Sequence, residues 1–110
     1  MDEPTFRRAA DHALESVRQE LIPVAEEHGF EVDYNSGALS IEFEEPNPAR
    51  FVLSPNAPVR QVWLSALAKS FKLEWSDEKQ AFLWPETGES LSGLVARLVG
   101  QHLGTPIHLA

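Results

Sequence analysis

The residues with chemistry to offer in this chain are carboxylates, and their spacing sorts them into groups. Asp11 and Glu15 stand four apart in a segment of helical periodicity, so they share one helix face with His12 beside them. Glu31 and Asp33 stand two apart and alternate with Phe30, Val32 and Tyr34, which puts both on the polar face of a strand. Hard carboxylate oxygens suit hard or borderline cations such as ferrous, ferric or manganous ions. Without a preorganised cage, a site of this kind holds its ion weakly and selects poorly. The same residues equally describe a solvated acidic face. Other chemistries find little support. The absence of Cys excludes disulfides, thiolate metal sites and cysteine nucleophiles. His12, His28, His102 and His108 lie far apart without ligand spacing. There is no Gly-rich phosphate loop, no His-Glu-x-x-His and no Gly-x-Ser-x-Gly elbow, so no enzyme constellation is visible.

A second group is built for contact rather than catalysis. In Pro58-Val59-Arg60-Gln61-Val62-Trp63-Leu64-Ser65, Val62 and Leu64 alternate with Gln61, Trp63 and Ser65. Period two sends Val62 and Leu64 to one face and Gln61, Trp63 and Ser65 to the other. Trp63 therefore falls on the wetter face, in the company of an amide and a hydroxyl. That is the composition of a protein-binding hot spot, and it also fits a Trp covered by a neighbouring loop.

The elements that must position these groups follow from hydrophobic period. Phe6, Ala10, Ala13, Leu14, Val17 and Leu21 recur at spacings of three and four, which predicts an amphipathic helix from Thr5 to about Leu21. Pro23 is expected to end or kink it near Ile22. Strands are predicted around residues 30–34 and 39–43, joined by an Asn35-Ser36-Gly37 turn. Others are predicted around Phe51 and Leu53, at 60–65, around Phe71, Leu73 and Trp75, and at about 80–84. Leu91, Leu94, Val95, Leu98 and Leu103 predict a closing helix from Ser90, stopped by Gly104. The tail from Thr105 to Leu109 is apolar enough to fold back and pack. One domain over residues 1–110 is expected, an α+β two-layer sandwich with both helices on one face of an antiparallel sheet of about six strands. Each helix brings a single apolar stripe, so only one sheet face can be covered, by Leu39, Ile41, Phe43, Phe51, Leu53, Val62 and Leu64. Trp63 points at the other.

Charge narrows the partners. The formal net charge is −8, and residues 1–45 hold 12 of the 17 acids but 3 of the 9 bases. The negative field of that N-terminal stretch argues against nucleic acid and anionic membranes and favours a basic protein partner, a cation, or both. No run approaches the ~20 apolar residues that span a bilayer. Met1-Asp2-Glu3-Pro4 is acidic, without the apolar segment of a secretory signal, which points to the cytoplasm.

The central strand resembles the signature of the frataxin family, Pro-x-x-Gln-Ile/Val-Trp-Leu/Met-Ala/Ser. The resemblance covers nearly the whole chain. Phe6, Arg8, Ala10 and Asp11 match the start of the family's first helix. Asn35-Ser36-Gly37-Ala38-Leu39-Ser40-Ile41 is similar to its hairpin, and Gly88-Glu89-Ser90-Leu91 with Leu94 falls where its last helix begins. The resemblance implies the same fold in the short bacterial form. It implies an acidic ridge on the first helix and strand that binds iron weakly and docks on a cysteine desulfurase. It implies an adaptor of iron–sulfur cluster assembly acting on the desulfurase–scaffold complex, expected as a monomer. By position Asp11, Glu31 and Asp33 match acids of that ridge and Glu15 extends it, making these the candidate metal residues. Gln61, Trp63, Ser54 and Asn56 are the candidate partner-binding residues. Departures are specific. Arg18, Gln19, Ile22 and Pro23 stand where bacterial relatives often carry acids, with Glu20, Glu26 and Glu27 in partial compensation. Ser54-Pro55-Asn56 replaces an Asn-Lys/Arg-Gln loop, and Phe82 replaces a second exposed Trp. Two rivals remain: an adaptor of this fold that has lost iron binding, and a ferroxidase or iron-storage protein.

Overall fold

The computed structural model describes residues 1–109. Helix α1 spans Glu3–His28, and strands β1 (Glu31–Asn35), β2 (Ala38–Phe43), β3 (Ala49–Asn56), β4 (Gln61–Ala66), β5 (Lys69–Ser76), β6 (Ala81–Trp84) and β7 (Glu89–Ser90) follow. Helix α2, Leu91–Leu103, closes the chain. The strands form one antiparallel sheet in sequence order, β1 to β7, so β1 and β7 are its edges. The two-layer sandwich is as expected, with seven strands rather than about six. The extra strand, β7, is two residues long and too short to leave a period in the sequence.

Both helices start and stop where backbone chemistry requires. The Asp2 carboxylate accepts from the Thr5 N–H at 2.9 Å and Ser90 Oγ accepts from the Gly93 N–H at 3.1 Å, each satisfying a free donor of a first turn. Gly29 and Gly104 close the helices in the left-handed conformation. Of the two outcomes expected at Pro23, an end or a kink, the end near Ile22 does not occur, because α1 runs through Pro23 to His28. Leu21 and Ala25 are both buried, so the apolar stripe continues across Pro23. Pro23 itself is exposed, on the side where water can take the carbonyl it leaves unpaired.

The core lies between the helices and the sheet. Leu39, Ile41, Phe43, Phe51, Leu53, Val62 and Leu64 are all buried, joined by Phe6, Leu14, Val17 and Leu21 from α1 and Leu94, Val95 and Leu98 from α2. Phe82 belongs to this core. It is 1% exposed, with its ring edge-to-face with Phe6 at 5.8 Å and with Trp75 at 5.1 Å. It is therefore no surface counterpart of a second exposed Trp: at β6, Phe82 pairs with inward-facing Trp75, and parity turns it inward too.

Two hairpins fix the register of the sheet's functional half. Ser36 and Gly37 have φ of 54° and 79°, the all-positive pattern of a two-residue primed turn. Leu67 and Ala68 repeat it at 52° and 64° without glycine or asparagine, at a steric cost to both residues. The tail folds back as expected, with Ile107 and Leu109 packed against the core. Gly100 lies under it: a Cβ there would meet the Thr105 carbonyl oxygen at 2.9 Å. Gly100→Ala gains helix propensity of about 1 kcal/mol but overpacks backbone at a cost of about 1–3 kcal/mol. The melting temperature is expected to fall, and the same substitution in a chain truncated after Gly104 is expected to be neutral or stabilising.

Candidate functional site

Two surfaces carry the candidate residues. On the open face of the sheet, β3 and β4 pair so that Ser54 lies opposite Trp63 and Asn56 opposite Gln61. All four predicted contact residues thus form one patch. Ser54-Pro55-Asn56 is the end of β3 and not a loop. The pairing of β3 with β2 stops at Leu53, so Pro55 has a strand on one side only, a position that tolerates its missing N–H.

Trp63 is 36% exposed, on the face that period two assigns to it. Its indole N–H donates to Gln61 Oε1 at 2.8 Å, and the Gln61 amide donates to Glu74 Oε2 at 3.2 Å. The Lys72 ammonium sits 4.9 Å from the indole centroid. A cation over the ring face and a hydrogen bond at its edge hold the indole in one orientation. Lys72 and Glu74 escaped the sequence reading. Their positions were recoverable by counting: a two-residue turn at Leu67-Ala68 sets Ala66 opposite Lys69, and Trp63 opposite Lys72 follows. The turn itself lacks the glycine or asparagine that would have announced it.

The second surface is the acidic end of the molecule, where β1 divides the four candidate metal residues. Val32 and Tyr34 turn toward α1, and the Tyr34 hydroxyl donates to Asp11 Oδ1 at 3.5 Å. Partial burial, and then the negative charge of Asp11 beside it, raise the Tyr34 pKa. Asp11 and Glu15 therefore lie on the helix side of β1. Glu31 and Asp33, by alternation, lie on the open side, opposite Glu42 and Ser40. Glu15 is engaged already, accepting from Arg18 at 3.1 Å and from Gln19 at 2.9 Å. Among the described residues no three His, Asp or Glu side chains converge to hold a metal ion. The donor set fits a loosely held, largely hydrated cation and does not fit a closed cage.

Together these features define an α+β sandwich with one open polar-aromatic sheet face and one acidic end. No helix is long and apolar enough to cross a membrane among the described residues. The chain matches the family model of the frataxin-like domain over residues 1–105. It is 29% identical over 93 residues to the iron-sulfur cluster assembly protein CyaY of Azotobacter vinelandii, covering 83% of each chain. Against CyaY of Pseudomonas fluorescens strain SBW25 the identity is 27% over 96 residues, 86% of each. A solved frataxin from Psychromonas ingrahamii superposes with a TM-score of 0.81 at 18% identity, covering 100% of this chain and 99% of that one. The chain belongs to the frataxin-like family.

Trp63 and Phe82 make opposite predictions for stability. Phe82→Ala should cost about 3–5 kcal/mol, as deletion of a core aromatic does. Trp63→Ala should cost about 1 kcal/mol, the range of a cross-strand surface pair. Denaturant midpoints of the two variants check this, and equal losses would contradict the assigned faces.

Proposed function

We propose that this protein is an adaptor of iron–sulfur cluster assembly that docks on a cysteine desulfurase and its scaffold and binds iron weakly. Relatives similar over more than four-fifths of their length are iron-sulfur cluster assembly proteins by name. The observation that carries the reading is the patch of Ser54, Asn56, Gln61 and Trp63, in register on one uncovered sheet face. An exposed indole held in one orientation is the kind of aromatic anchor on which interface hot spots centre. The acidic end supplies the complementary attraction to a basic partner and acts mainly on the rate of encounter. Arg18 weakens that attraction by drawing on the Glu15 carboxylate. The same pairing favours a second reading, an adaptor of this fold that no longer takes iron.

Binding to desulfurase and scaffold, followed by titration, tests the proposal. Trp63→Ala should weaken binding by about 2 kcal/mol or more. Arg18→Glu should raise the association rate at low salt and lose its effect at high salt. Affinity indifferent to both changes and to ionic strength would refute docking through these surfaces. For iron, affinity should be about micromolar or poorer, as at open carboxylate sites. Paramagnetic broadening should centre on Asp11, Glu15, Glu31 and Asp33. Broadening absent there, with desulfurase binding intact, selects the second reading.

A further inference from the structure

The free edge of β1 and the groove beside it form an interaction surface separate from the Trp63 patch. We propose that this surface takes an extended, basic segment of a partner protein by strand addition, with Lys or Arg at alternate positions. The inference rests on the docking reading above only for the expectation that the partner is a basic protein.

Three observations converge on β1. It is an edge strand paired with β2 alone, and among the described residues no other element hydrogen-bonds to its backbone. An edge of this kind offers N–H and C=O groups to any chain that can lie along it. The open face next to that edge is concave. One depression of about 490 Å³ runs from Gly29 and Phe30 across Glu31, Glu42 and Glu44 to Pro48 and Arg50. A second, of about 410 Å³, is lined by Glu31, Val32, Asp33 and Glu42, so the two adjoin through Glu31 and Glu42. The groove is also acidic in a directed way. Glu42 shares its charge with Arg50 at 3.5 Å, whereas Glu31 and Asp33, next to the edge, are in no ion pair among the described residues.

These features choose the occupant. A strand laid along β1 sends every second side chain to the open face, at intervals of about 7 Å. Cationic side chains two apart would then stand opposite Glu31 and Asp33. A second copy of β1 would set carboxylates against carboxylates, and like charges directly across a ladder destabilise it. The acids thus guard the edge against self-pairing while admitting a basic strand, so attraction and rejection come from the same residues.

An eight-residue peptide of alternating lysine and threonine provides the probe, with a block peptide of four lysines and four threonines as control. Titrated into isotope-labelled protein, the alternating peptide should shift the amide resonances of residues 31–35 and slow their hydrogen exchange. It should bind about tenfold more tightly than the block peptide, and Asp33→Lys should remove that advantage. Equal affinity for the two peptides would overturn the proposal, as would shifts centred on Asp11 and Glu15 with unprotected β1 amides. A concentration-dependent dimer that protects β1 without peptide would make a second copy the occupant and overturn it too. The desulfurase is absent from this experiment, so the two ideas fail separately. Desulfurase binding that leaves β1 exchange unchanged counts against strand addition alone.

Discussion

The structure depends on an imbalance of apolar surface. Seven strands present two faces, while α1 and α2 bring one apolar stripe each, enough to cover a single face. The strands therefore alternate, with Leu39, Ile41, Phe51, Leu53, Val62, Leu64 and Leu73 buried inward and mostly polar residues outward, Val52 and Leu83 excepted. The outer face cannot contribute to the hydrophobic core, so it is free to carry contact chemistry. Among the described residues, its exposed Trp63 is the one large aromatic that the packing does not claim.

That division also separates the two kinds of site. Around Trp63, a lysine, an amide and a carboxylate fix an indole for packing. At the β1 end, carboxylates lie on both sides of an edge strand, Asp11 and Glu15 toward the helix and Glu31 and Asp33 toward the open face. Short-range packing at the centre and longer-range attraction at the edge are complementary demands of a docking surface. A sheet in sequence order sets the aromatic patch and the acidic end apart, with the edge strand β1 lying against α1.

Much of this was legible because period reports faces. The alternation around Val62 and Leu64 was sufficient to place Trp63 outward, and the three-four spacing from Phe6 to Leu21 was sufficient to place α1 on the sheet. What escaped was decided by tertiary context. Helix propensity argued for a stop before Pro23, and the buried Leu21 and Ala25 overrode it. Phe82 read as a surface position by analogy, whereas register with Trp75 turns it into the core. Ser54-Pro55-Asn56 read as a loop by resemblance to the family, whereas a half-paired stretch of β3 accommodates its proline. Lys72 and Glu74 had no local signal, since their roles exist only across the β4–β5 ladder.

The central claim is that the uncovered sheet face is the docking face. Hydrogen exchange of the protein, free and bound to the desulfurase–scaffold complex, tests it most directly. The account predicts that binding slows exchange across β3, β4 and β5 around Trp63 and leaves α2 and residues 105–109 unchanged. Protection confined to α2 and the tail, with β3 to β5 exchanging as in the free protein, would contradict it.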